Sequence, residues 1–271
     1  MRGARDALNR PFDYKTNMSN PYLLAEATWQ VVRDTTYDLA VLPWGATEAH
    51  NLHLPYATDN IQVDRLAAES ARRAWERGAR IIVLPTIPFG VNTGQLDIKL
   101  DINVYPSTQA IILRDVVDVV RRAGIERFLV LNGHGGNDFK TMLRELQPSF
   151  PEVFLCTANW YQSVDPAVYF DDAGDHGGEM ETSLMLHLAP DLVLPLDNAG
   201  PGTARQFRVR ALREKWVWAQ RAWSQVTDDT GVGDPSRSTA QKGAAYFDAV
   251  CAALADVMEE LAGADPQDMY E

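Results

Sequence analysis

Apolar runs short enough to be strands, alternating with helix-like stretches, predict an α/β domain on a mostly parallel sheet. DLAVLPW (38–44), RIIVLPTIPF (80–89) and RFLVL (127–131) read as buried strands. Helical spacing of apolar residues lies between each pair, and a strand–helix–strand order makes parallel neighbours. The polar, glycine-rich stretches fall just after the first and third strands. At 271 residues the chain can bury about 75% of its unfolded surface around one core. With no repeat, low-complexity tract or flexible linker in it, a single domain is expected over 22–264, with a polar arm at 1–21 and a tail at 265–271.

The elements follow in order. Residues 22–33 read as a helix, then comes the first strand, 38–44. The polar loop VLPWGATEAHNLHLPYATD leads into a helix over 59–77, whose apolar positions include Ile61, Leu66, Ala67, Ala74 and Trp75. Prolines end the second strand, 80–89. Residues 90–108 form a long loop or hairpin with alternating Leu96, Ile98, Leu100 and Ile102, and Pro106 opens a helix to Arg122. The third strand, 127–131, runs into NGHGGN (132–137), followed by a helix over 138–146 and a strand over 153–158. After an Asp-rich loop, DHGGEMETSLMLHL (175–188) turns through Gly177 and Gly178 into a largely buried helix, in which His187 is a helical histidine rather than a ligand. A Pro/Gly-rich connection (189–203) precedes a basic, Trp-bearing helix over 204–225, expected to be a solvated or subunit-contact helix. A turn-rich loop then feeds a final helix, 239–262, capped by Asp234 or Ser238.

Composition excludes several function classes. With 25 Lys and Arg against 37 Asp and Glu, the net charge of −12 repels polyanions, so nucleic acid is not an expected partner. No apolar run is long enough to cross a bilayer, and the first residues lack the apolar core of a signal peptide. Cys156 and Cys251 read as free thiols, which fits a reducing cytoplasm.

The chemistry concentrates in a few segments. Glu48, His50, His53 and Asp59 lie within a dozen residues, and two of the five histidines are here. Glu48 and His50, two apart, share one side of an extended backbone. Ligands in α/β sheets collect beyond the carboxyl ends of strands, where the first loop, NGHGGN and the DHGGEMETS turn converge. Glu48, His50, Asp59, His134 and Glu181 are therefore candidate metal ligands. Five N/O donors exceed the needs of one catalytic zinc and suit two cations sharing Asp59. Such a pair holds a bridging hydroxide and polarises a carbonyl, so hydrolysis is the expected reaction. His176, outside the ligand set, is free to protonate a leaving nitrogen.

TEAHNLHLPYATD, NGHGGN and HGGEMETS, with GVGDPSRSTAQKG near the end, resemble the signature segments of the creatininase family of metal-dependent amidohydrolases, over about 42–243. The resemblance implies a three-layer α/β/α fold and two divalent metal ions per chain, zinc or manganese, with iron as a further option. It implies a homohexamer acting on a small-molecule amide, at a non-peptide C–N bond of the cyclic amide or formamide type. By it, Glu48, Asp59 and His134 match the ligands of one metal, His50 and Asp59 those of the other, and His176 and Glu181 the catalytic positions of the last motif. It also places Asn92, Gly135, Gly136 and Asp172 around the substrate.

There are departures. Gly136 stands where the creatinine hydrolases carry a glutamate ligand, so Glu181 is expected to complete the second metal's shell. Asp172 stands where a tryptophan covers creatinine, and Asn51 where glycine is usual. Creatinine is therefore expected to be a poor substrate. Two other functions use the same ligands: a dinuclear phosphoesterase, for which Lys99 and Lys140 are the nearby cations, and a non-catalytic metal-stabilised module.

Overall fold

The computed structural model describes residues 20–270, so most of the 1–21 arm lies outside the described residues. Four parallel strands form the sheet in the order β2-β1-β3-β4: β1 (Leu39–Trp44), β2 (Ile81–Val83), β3 (Arg127–Asn132) and β4 (Phe154–Asn159). Helix α1 (Trp29–Asp34) precedes β1. Helices α2 (Thr58–Glu76), α3 (Pro106–Arg122) and α4 (Phe139–Leu146) make the crossovers, and α5 (Glu179–Leu188), α6 (Arg210–Arg213), α7 (Trp223–Val226) and α8 (Ala240–Gly263) follow β4.

Alternation along the strands divides the core into two. Leu39, Val41, Ile81, Val83, Leu129 and Leu131 pack with α2, α5 and α8 on one face. Ala40, Leu42, Trp44, Ile82, Phe128 and Val130 pack with α3 and α4 on the other. Helices on both sides make the expected three layers. From β1 the chain crosses to β2 on one side, then to β3 on the other, so the strand order reverses at the β1–β3 pair. That is the switch point where α/β sheets open a crevice. Trp44 and Asn132 are the last paired residues of β1 and β3, so the two polar loops leave the sheet side by side.

Several elements differ from the sequence reading. The helix expected over 22–33 is confined to α1, because Leu24 N donates to Val83 O and Val83 N to Tyr22 O; these residues pair with the outer edge of β2. Strand β2 stops at Val83. Of the loop or hairpin expected over 90–108, it is the loop that forms: Ile102 bridges Thr47, and Leu96 and Leu100 are 61% and 78% exposed. The helix expected over 204–225 is absent; two four-residue helices, α6 and α7, punctuate irregular chain. Thr239, not Asp234 or Ser238, caps α8, accepting from Lys242 N.

Candidate metal centre

The loop after β1 delivers Glu48 and His50, and Asp59 follows in the first turn of α2, where the helix dipole favours a carboxylate. The loop after β3 delivers His134. Its motif asparagines explain its shape: Asn132 Oδ1 accepts from His134 N (3.1 Å) and Asn137 Nδ2 (3.0 Å), while Asn132 Nδ2 donates to His134 O (2.9 Å). Helix α5 delivers Glu181, and Gly177, at φ +60, lets its N–H reach the Glu181 carboxylate.

These side chains meet in two groups of three, Glu48–Asp59–His134 and His50–Asp59–Glu181, with Asp59 common to both. His134 Nδ1 lies 2.7 Å from Glu48 Oε1 and 3.1 Å from Asp59 Oδ2, and His50 Nε2 lies 3.0 Å from Asp59 Oδ1 and 3.9 Å from Glu181 Oε1. Each ring spends its other nitrogen on a backbone carbonyl: His50 Nδ1 on Glu48 O and His134 Nε2 on Val91 O, both at 3.1 Å. Those carbonyls accept N–H, so the inward nitrogens present lone pairs to carboxylate oxygens. Acceptors face acceptors, which calls for positive charge between them.

The carboxylates are strong enough to draw that positive charge onto the rings themselves, as a proton in place of each inward lone pair. Burial alone would raise the Asp59 carboxyl, but the His50 and His134 imidazoles hold it far below the carboxylate range. Glu48 is lowered against its burial by His134 and His176. His50 is held at about 10, its burial outweighed by the carboxylates of Asp59 and Glu181, and His134 is raised in the same way by Glu48 and Asp59. Burial raises Glu181.

A third group, Glu48–His50–His176, brings in the last-motif histidine. His176 Nε2–H donates to Ala49 O (2.7 Å), which turns Nδ1 toward Glu48 Oε1, 3.9 Å away. The ring stacks on His50 at 4.0 Å and meets Trp223 edge-on at 5.2 Å. His53 lies outside these groups, bonded to Thr182 Oγ1 at 2.9 Å, and His187 is exposed on α5 beside Phe247.

The groups open into a cavity of about 480 Å³ lined by Glu48, Asp59, His134, His176 and Glu181. Of the residues expected around the substrate, Asn92, Gly135 and Gly136 line it. Asp172 does not: it is exposed on the outer side of its loop, its N–H held by Glu179, and Asp175 lines the cavity in its place. Nor does the cavity want for aromatic faces, since Tyr161, Trp218 and Trp223 supply them. The poor fit expected for creatinine therefore draws no support from Asp172. At Gly136 a Cβ would sit 2.3 Å from Val91 O and 2.4 Å from His134 Nε2, so this backbone admits no side chain.

Sequence reasoning missed Gln95, which is buried and donates to Glu48 Oε2, leaving Oε1 to the metal group. No motif marks it. It also missed Asp101, whose Oδ1 accepts from Ala49 N at 2.8 Å and so fixes the backbone between Glu48 and His50. Trp223 and Arg221 lie in the basic, Trp-bearing stretch over 204–225, expected to be a solvated or subunit-contact helix, and instead line the cavity.

In comparison with known proteins, the family model described as Creatininase: Creatinine amidohydrolase matches residues 25–258. A Bacteroides fragilis NCTC 9343 structure, provisionally named a creatinine amidohydrolase, has a TM-score of 0.87 at 41% identity, covering 94% of this chain and 100% of that one. A creatinine amidohydrolase of Pseudomonas putida is 30% identical over 203 residues, 65% of this chain and 75% of its own. A mycofactocin precursor peptide peptidase of Mycobacterium tuberculosis (strain CDC 1551 / Oshkosh) is also 30% identical, over 223 residues, 78% of this chain and 80% of its own. Creatininase in zinc–zinc and manganese forms shares the fold at 24% identity and TM-score 0.68, covering 90% and 88% of this chain and 98% of each of those.

Proposed function

The chain belongs to the creatininase family, and from that premise we propose that it hydrolyses a non-peptide C–N amide bond, of the cyclic amide or formamide type, with two divalent cations. The observation that carries this is the pair of three-residue groups sharing Asp59 at the inner end of a cavity, with His176 Nδ1 turned toward them. The residues fit the cations. Glu48 Oε1 and Asp59 Oδ2 are buried without a hydrogen-bond partner, and the lone pairs of His50 and His134 point at the same carboxylates.

Glu48, Asp59 and His134 would hold one cation, and His50, Asp59 and Glu181 the other. Zinc and manganese suit these N/O donors, and creatininase forms with each metal share the fold. Bound there, two cations supply polarisation of the amide carbonyl and an activated water at neutral pH. The protein's own work is positioning and proton transfer. Gln95 and the carbonyls of Glu48 and Val91 hold the ligands in orientation. His176 takes up a proton at Nδ1 from the attacking water and delivers it to the leaving nitrogen, its tautomer set by Ala49 O and its ring held between His50 and Trp223.

Equal identity to a creatinine amidohydrolase and to a peptidase leaves the bond type to the cavity. Its bounded volume and its cover of Trp218 and Trp223 favour a small amide over a peptide chain. Neither Lys99 nor Lys140, the cations expected to serve a phosphoesterase, lines it. Elemental analysis, with turnover of formamides, lactams, creatinine, a dipeptide and a phosphate ester by one metal-loaded sample, tests the proposal. Formamide or lactam hydrolysis should rank first. Phosphate ester or dipeptide hydrolysis above all amides would overturn it.

A further inference from the structure

Among the described residues lining the cavity, Arg221 is the single lysine or arginine, facing an inner end built from Glu48, Asp59 and Glu181. It is not a loose surface group. Its guanidinium lies 4.5 Å over the Trp223 ring, and that ring meets His176 at 5.2 Å, so the charge stands two ring contacts from the proton donor. The chain around it is strapped to the cavity wall: Trp223 N donates to Gly94 O (2.9 Å), and Thr93 Oγ1 donates to Gln220 Oε1 (3.0 Å).

One bond engages the guanidinium, Nη1 to Asp175 Oδ2 at 2.7 Å, and its other donors meet no hydrogen-bond partner among the described residues. Asp175 itself is placed from behind, because the N–H groups of Asp175 and His176 both donate to Val232 O. Arg221 and Asp175 are 42% and 58% exposed, so solvent and ligand can reach the pair.

A planar fork with free donors is the protein group best matched to a carboxylate, and stacking on an aromatic ring holds it in that orientation. The two ends of the cavity then make different demands. The inner end takes an amide carbonyl; the half-exposed Arg221 takes an anion; and Trp218, Trp223 and Tyr161, which line the same cavity, offer apolar faces to the rest of the ligand. We propose that Arg221 forms an anion subsite and that the substrate is an amide carrying a carboxylate a few bonds from the scissile C–N bond, as in an N-formyl amino acid. This rests on the amidohydrolase reading above. In the reaction water adds across the C–N bond, giving an acid and an amine, with no other co-reactant.

The test pairs N-formylphenylalanine with its primary carboxamide, reading formate release by the metal-loaded protein and ligand binding by tryptophan fluorescence. The carboxylate should be preferred by about tenfold or more in kcat/KM, chiefly through KM. In Arg221→Gln the ratio falls toward one, and in Arg221→Lys part of it returns. Asp175→Asn, which removes the competing acceptor, should raise the preference; a merely structural ion pair would weaken both ligands alike. Equal binding of the two ligands by the native protein, or a preference unchanged in Arg221→Gln, overturns the subsite. Selective carboxylate binding that Arg221→Gln abolishes, without formate release, would count against the amidohydrolase reading and for the subsite.

Discussion

At the inner end of the cavity, Glu48, His50 and Asp59 are at most 1% exposed, and further residues restrain the ligand set: Gln95, Asp101, Gly177 and two backbone carbonyls. The cover over 204–225 is irregular chain in which Trp216 and Trp218 are 71% and 82% exposed. The inner end grows from paired strands, and the cover hangs on a few contacts to 93–94, 175 and 228. On the proposed function, chemistry that needs donors held to fractions of an ångström would sit on the buried part, and contact with the variable portion of a substrate on the exposed part.

The comparison can be broken from the inner end outward. Asp59→Ala should have the largest effect, since both ligand groups share this residue: activity should fall by more than about a thousandfold, some 4 kcal/mol, with loss of bound metal. Retention of a full complement of about two ions per chain by elemental analysis would refute the shared-ligand arrangement. His176→Ala should lower kcat by ~10²–10⁴ while metal content stays at the native level. Simultaneous metal loss would make His176 a ligand instead.

At the junction of the two regions, Asn51 occupies φ +54, a conformation open to glycine and asparagine, which explains the departure seen in the sequence. Its side chain clasps Gly200 in both directions, Nδ2 to Gly200 O at 3.0 Å and Gly200 N to Oδ1 at 2.8 Å. Asn51→Gly keeps the backbone and removes both bonds, each contributing ~1 kcal/mol. Calorimetry should show a Tm lower by a few degrees with metal content unchanged, and Asn51→Ala should be worse because of its positive φ. An unaltered Tm in Asn51→Gly would mean that the clasp holds nothing.

The smallest effect belongs to the exposed cover. We propose that the chain forms a homo-oligomer, a hexamer, covering Trp216, since large exposed aromatics favour contact surfaces. Trp216→Ser should change protomer stability by no more than ~0.5 kcal/mol yet reduce the mass seen by light scattering. A native protein that scatters as a monomer refutes the assembly.

The layered α/β fold, most helices and the candidate ligands were legible in the sequence because each rests on local information. A strand's apolar run, a proline at a helix start and a histidine just past a strand end are written within a few residues. The support around the centre was less legible: Gln95 reaches Glu48 across 47 positions of sequence. The clasp from Asn51 to Gly200 spans 149. Helix-like spacing over 22–33 gave way to pairing with the β2 edge, because an open sheet edge offers backbone bonds that a short helix must otherwise make alone. The stretch over 204–225 lost its helix for a related reason: lying over a cavity, it has no core to pack against, and a helix in water draws most of its stability from packing. Where Arg221 and Trp223 would stand was thus decided by contacts with Gly94, Asp175 and His176, none of them a sequence neighbour.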